Sequence, residues 1–185
     1  MIERLKSNDK KAFDELVTVY KNSVINACYR FLLDKEDAED ISQDVFIEVY
    51  QSINSFRGDA KISTWIYRIT VTKCLDEIKK RNRKKRLASI SKMLHIDDVA
   101  NWISGGSMPD TSLHENEKMR EVAIVLNKLP ENQRVAFTLS KIDGFSNQEI
   151  AEIMDTTTIA VESLIYRAKK KVADELLAIL KNNDY

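Results

Sequence analysis

The sequence predicts an all-α fold in which two small helical domains, residues 1–90 and 117–185, are joined by a flexible linker over residues 91–116. Three observations predict it. The 185 residues include only four Gly and two Pro and are 43% apolar, a composition suited to packed helices. Apolar residues recur at helical spacing from Phe13 to Ile78 and again from Met119 to Ala168. Between those stretches the pattern decays, in a segment that holds Gly105-Gly106, Pro109 and many Ser and Asp.

In chain order, Phe13, Leu16, Val17, Tyr20, Val24, Ala27, Cys28 and Phe31 form one stripe and predict a helix from about Lys10 to Leu33. A second helix, about Lys35 to Ser55, places Ala38, Ile41, Val45, Val49 and Ile53 inward. Phe56 to Lys61 contains Gly58 and short polar residues and reads as a loop. The third helix starts near Ile62 and is apolar on two opposite sides, Ile62, Ile66 and Ile69 against Tyr67, Val71, Cys74 and Ile78, so it is expected to be wedged between neighbours. The linker is expected to carry a short helix near Ile96–Ile103, and some 25 extended residues would span about 80 Å. Met119, Val122, Ala123, Leu126 and Leu129 predict the next helix; Pro130 is expected as a first helical residue before Glu131–Ile142, which Asp143-Gly144 stops. Ser146-Asn147-Gln148-Glu149 is a capping box opening a helix with Ile150, Ala151 and Met154 inward. A turn at Asp155–Thr157 leads to a last helix, about Thr158 to Leu180, with Val161, Leu164, Ile165 and Ala168 inward. Two helices joined by so short a turn make a helix-turn-helix, with Asp155 able to adopt a left-handed backbone in the turn.

Composition excludes several classes. Apolar runs are too short to cross a bilayer and the N-terminus lacks an apolar signal core, so a soluble cytoplasmic protein without membrane insertion is expected. Cys28 and Cys74 are isolated within apolar helical patterns and are expected as reduced core thiols; His95 and His114 are isolated too. No metal cluster, phosphate loop or nucleophile elbow is legible, so neither a cofactor, a metal nor a catalytic residue is expected. Asp37, Asp40 and Asp44 could gather a divalent cation, but no His or second carboxylate helix completes that site.

Net charge is zero, yet it is segregated. From Asp34 to Glu48, seven acids stand against Lys35 alone, whereas basic blocks sit at Lys79–Arg86 and Arg167–Lys171, which suits one basic and one anionic partner. On the second helix Asp40, Gln43, Asp44, Ile47 and Gln51 share a face, an exposed isoleucine ringed by carboxylates that fits a basic helical partner. On the third, Trp65, Arg68, Thr72, Asp76 and Lys79 share a stripe expected to stay open to an unstacked base, followed by Lys80 and Arg83 in a run suited to phosphates.

Over nearly its whole length the chain resembles the extracytoplasmic-function group of bacterial RNA polymerase sigma factors. Three motifs carry the likeness in order: Asp37 to Phe46; Phe56-Arg57-Gly58-Asp59 followed by Ser63 to Ile69; and Leu129 to Arg134 running through Gly144 to Ala151 and on to Ala160–Lys169. The resemblance implies sigma regions 2 and 4, no catalytic activity, and core RNA polymerase and promoter DNA, both duplex and melted strand, as partners. By that likeness Asp40, Gln43, Asp44, Ile47 and Gln51 dock on the clamp helices of the largest subunit. Phe56, Trp65, Arg68, Thr72, Asp76, Lys79, Lys80 and Arg83 engage the minus-ten element. Glu162, Ser163 and Tyr166 approach base edges of the minus-thirty-five element while Arg167 and Lys170 hold phosphate, and the helices before them rest on the flap of the second-largest subunit. An anti-sigma factor is the expected regulator. Thr72 stands where the group commonly has Asn and Thr70 where it has Ala; Glu162 replaces a basic residue, and a carboxylate accepts from a cytosine amine. The alternative is a helix-turn-helix repressor or activator that binds duplex DNA without joining polymerase.

Overall fold

The computed structural model describes residues 2–93 and 125–183, with side chains described for residues 2–87 and 125–177. Among these residues the secondary structure is helical: α1 (Ile2–Lys6), α2 (Lys10–Leu32), α3 (Lys35–Ser52) with a 3₁₀ turn at Ile53–Ser55, α4 (Ile62–Met93), α5 (Glu131–Lys141), α6 (Asn147–Met154) and α7 (Thr158–Asn183), with residues 125–127 also helical. Residues 94–124, which include most of the expected linker with its helix at Ile96–Ile103 and the start of the helix expected through Met119, Val122 and Ala123, lie outside the described residues.

Local chemistry sets the helix ends. Asp9 caps α2 by accepting from the amides of Lys11 and Ala12 at 2.9 and 3.3 Å, and Asp34 caps α3 by accepting from Asp37 at 3.0 Å. Ser146 and Glu149 form the expected capping box at the start of α6. Asp155 ends α6 with φ 52°, the left-handed conformation that a short polar side chain tolerates. Helix α1 has no counterpart among the expected elements, and several boundaries differ from expectation. The α3 ladder stops at Ser52, whose hydroxyl turns back to the Glu48 carbonyl at 2.5 Å, and a 3₁₀ turn finishes the element. Helix α4 continues to Met93, beyond the point where its apolar pattern decays, because its Lys- and Arg-rich stretch consists of good helix formers. Pro130 is the residue before α5, its carbonyl accepting from Arg134 at 2.9 Å.

Leu16, Val24, Ala27 and Phe31 of α2 meet Ala38, Val45 and Val49 of α3 and Ile66, Val71, Cys74 and Ile78 of α4 in one buried cluster. Each large side chain removed from water there contributes roughly 1.5–3 kcal/mol. The two-sided apolar pattern of α4 is explained by its neighbours: α2 and α3 lie against it from the N-terminal half, α6 from the C-terminal half. Val135, Leu139, Ile150, Ile153, Val161 and Ile165 therefore join the same cluster, so both halves share a core. Leu33, held left-handed at φ 57° after α2, packs against a second cluster of Leu126, Leu129 and Ala168.

Polar contacts line the same junction. Arg30 of α2 pairs with Asp143 of the α5–α6 loop, the two side chains being 10% and 8% exposed. The Tyr67 hydroxyl donates to the same Asp143 oxygen at 3.4 Å, and the Tyr67 ring meets Phe145 edge-on at 4.7 Å. Burial raises the Tyr67 hydroxyl above its ordinary range, with the Asp143 charge adding to it. Burial likewise raises the Asp143 carboxyl, against the pull of Arg30.

Candidate nucleic-acid interface

Three surfaces follow from this architecture. The first is the outer face of α3, where Asp40, Gln43, Asp44, Ile47 and Gln51 are all exposed. Ile47 is 53% exposed, and Tyr50, one turn on, is 48% exposed with its ring edge-on to Phe13 at 5.0 Å. Tyr50 was not singled out from sequence, although its i+3 spacing from Ile47 signals the same face. Asp37 is held in an ion pair with Arg81 of α4, which ties this helix to the basic run.

The second surface is the open side of α4. Arg68, Thr72, Asp76, Lys79, Lys80 and Arg83 are exposed along it. Thr72 spends its hydroxyl on the Arg68 carbonyl at 2.9 Å, and Lys79 and Lys80 pair with Asp76 and Glu77, each at 3.0 Å. The expectation of an open aromatic stripe needs correction: Phe56 is buried at 4% exposure, and Trp65 is half-buried with its ring 5.4 Å from Phe56. The loop before α4 folds Phe56 into the core beside Ile53, and tilted aromatic packing then anchors Trp65. A groove between α3 and α4, lined among others by Ile41, Asp44, Lys73, Asp76, Lys79 and Arg83, brings the acidic face and the basic stripe side by side.

The third surface is the solvent side of α7. Glu162, Tyr166, Arg167 and Lys170 are exposed and Ser163 is half-buried, accepting from the Arg167 guanidinium at 2.6 and 3.2 Å. Val161, Ile165 and Ala168 turn inward, so Glu162, Tyr166 and the cations Arg167, Lys169 and Lys170 are carried on the outside of the helix. Sequence reasoning missed what these surfaces do to one another. Asp155, in the turn before α7, pairs with Arg68 at 3.2 Å, and Glu149 pairs with Lys61 at 2.8 Å. Acids from the C-terminal half thus sit on cations beside the α4 stripe. No local periodicity marks such pairs; the alternating signs in separate segments are the only trace.

The family described as Sigma-70 region 2 matches residues 16–84, and Sigma-70, region 4 matches residues 120–172. The "ECF RNA polymerase sigma-E factor" of Escherichia coli strain K12 is 32% identical over 98% of this chain and 95% of its own length. The protein of that name from Haemophilus influenzae is 33% identical over 97% of this chain and 95% of its own. The chain belongs to the extracytoplasmic-function group of RNA polymerase sigma factors. Solved structures agree on the fold: CnrH in complex with the cytosolic domain of CnrY has a TM-score of 0.68 at 23% identity, covering 96% of this chain and 95% of that one. The sigma factor RpoE of Bartonella quintana, in complex with the anti-sigma factor NepR, has a TM-score of 0.70 at 19% identity, covering 90% of this chain and 97% of that one.

As an alternative sigma factor, the protein is a regulatory subunit that directs transcription initiation by RNA polymerase at promoters. A DNA-binding regulator that never joins polymerase leaves the region 2 match without a role. The region 2 match covers most of α2, all of α3 and most of α4; the region 4 match takes in α5, α6 and the first part of α7. Among the described helices none is long and apolar enough to cross a membrane.

Proposed function

We propose that residues 1–90 of this sigma factor dock on polymerase and open the minus-ten element, that residues 117–185 read the minus-thirty-five element as duplex, and that residues 91–116 set their spacing. Asp40, Gln43, Asp44, Ile47 and Gln51 contact the clamp helices of the largest subunit, joined by Tyr50. The observation that carries this reading is the pair of large apolar side chains, Ile47 and Tyr50, left outward on an acidic helix face, where a basic helical partner gains both burial and charge complementarity. On the melted strand Arg68, Thr72, Asp76, Lys79, Lys80 and Arg83 track backbone and bases. Trp65 offers its free side for stacking, with Phe56 as its buried support. Upstream, Glu162, Ser163 and Tyr166 approach base edges and Arg167 and Lys170 neutralise phosphates, while α5 and α6 rest on the flap of the second-largest subunit. Promoter engagement requires Arg68 and Lys61 to leave Asp155 and Glu149, and an anti-sigma factor that holds the two halves together keeps the protein out of initiation.

Reconstitution tests this directly. The chain with core polymerase is expected to give run-off transcripts whose starts, sequenced from a genomic template of the source organism, share a two-part promoter. Within that assay Trp65→Ala is expected to reduce open-complex formation by a factor matching the roughly 1–3 kcal/mol of one base–aromatic stack. Ile47→Glu is expected to abolish co-migration with core in gel filtration. Persistent silence of the reconstituted enzyme on the whole genomic template would sink the reading.

A further inference from the structure

We propose that Ile159 is a specificity residue of the helix that reads the minus-thirty-five duplex, packing against the 5-methyl group of a thymine in the major groove. The inference rests on the reading of α7 as that helix. Ile159 is 77% exposed, more than any other large apolar side chain among the described residues. It is the second residue of α7, and side chains in the first turns of a recognition helix are the ones that reach base edges. Glu162, Ser163 and Tyr166 follow it at i+3, i+4 and i+7, so the four share one face. Tyr166 is 71% exposed on that face.

The fold does not account for an isoleucine at this position. The buried side of α7 is made by Val161, Ile165 and Ala168. Helix propensity does not favour a β-branched residue over the many straight-chain alternatives. The cap is provided by Thr157, whose hydroxyl accepts from the Ala160 amide at 3.2 Å and so fixes the first turn and the direction of the Ile159 Cβ. Exposed Arg167, Lys169 and Lys170 lie along the same helix, which fits a flanking phosphate backbone rather than an apolar protein partner. Of the four bases only thymine presents a methyl group in the major groove, and an aliphatic side chain is its natural contact. Glu162 beside it can accept from the N4 amine of cytosine, so the helix opening combines one methyl reader with one amine reader.

The test uses full-length protein assembled with core polymerase, on the promoter revealed by its own transcripts. Each thymine of the minus-thirty-five element is replaced singly by deoxyuridine, which removes only the methyl. At one position the swap is expected to weaken wild-type promoter binding about fourfold, as for one apolar carbon returned to water. Ile159→Ala is expected to bind the thymine promoter about that much more weakly and to be indifferent to the swap, whereas Ile159→Val keeps the discrimination. Unchanged thermal unfolding of both variants is expected, because the side chain supports no core. A minus-thirty-five element without thymine, a wild type indifferent to every swap, or a methyl effect that survives in Ile159→Ala overturns the proposal while leaving sigma activity intact. A holoenzyme that binds no promoter overturns both readings.

Discussion

Glu149 does two jobs with one carboxylate. It accepts a hydrogen bond from the Ser146 amide at 3.0 Å to close the α6 capping box, and it pairs with Lys61 across the junction. Those contacts, the Lys61 hydrogen bond first and the Ser146 bonds after it, hold its carboxyl at about 2 against an ordinary 4.5. A depressed folded value means that its contribution is complete above about pH 4.5 and is lost as pH falls towards 2. Asp143 has the opposite sign: burial raises it, so the packed form binds its proton more readily than a separated one, and acidification favours that contact. Thermal unfolding of wild type and Glu149→Gln from pH 6 down to pH 3 should therefore converge, with the variant less stable at pH 6 and less sensitive to acid. Parallel curves would show that Glu149 carries no linked stability. Removing the hydroxyl half of the box by Ser146→Ala is expected to cost about 1 kcal/mol at pH 6, and less towards pH 3, because that hydroxyl also donates to the Glu149 carboxylate at 2.9 Å and helps to depress it.

At the scale of elements, the helix-turn-helix depends on two backbone reversals made by different residue types. Gly144 adopts φ 75° after α5, and Asp155 adopts φ 52° after α6. A methyl group at Gly144 would meet nothing within 4 Å, so Gly144→Ala isolates the backbone cost, expected at about 1 kcal/mol and read as a lowered denaturation midpoint with an unchanged m-value. Both reversals were legible, Gly144 from its helix-stopping dipeptide and Asp155 from its tolerance of the left-handed region. The capping box was legible for the same reason: each is a property of four or five consecutive residues. Helix α4 was read less completely. Its charges and apolar sides were visible, but the burial of Phe56 and half-burial of Trp65 came from how the preceding loop folds back, which periodicity does not encode.

The two halves are held together by their shared apolar core and by polar contacts between sequence-distant groups. Arg30 and Asp143 are the most enclosed of these, and the guanidinium Nε and the Asp143 Oδ2 lack partners. Removing one member of a buried pair costs about 3–5 kcal/mol when the other charge stays buried. Separation of the halves avoids that cost by returning Arg30 to water. Asp143→Ala is therefore expected to shift the protein towards an open form, seen as a larger radius of gyration in solution scattering, and to speed assembly with core polymerase. An unchanged radius accompanied by a loss of overall stability would mean that the pair serves the fold and not the closure.

The amino-acid order alone determined most of the helices, the α6 capping box, the acidic and basic blocks and the family likeness, because periodicity, cap chemistry and charge are carried by neighbours along the chain. Tertiary structure alone decided that Arg30 meets Asp143, that Arg68 and Lys61 face Asp155 and Glu149, and that Cys28 and Cys74 lie in contact, the Cys28 hydrogen bond and burial raising the Cys74 thiol. The reason is physical: a side chain's partner across a helix junction depends on rigid-body packing, in which residues far apart in the chain arrive together, and no local pattern records that arrival.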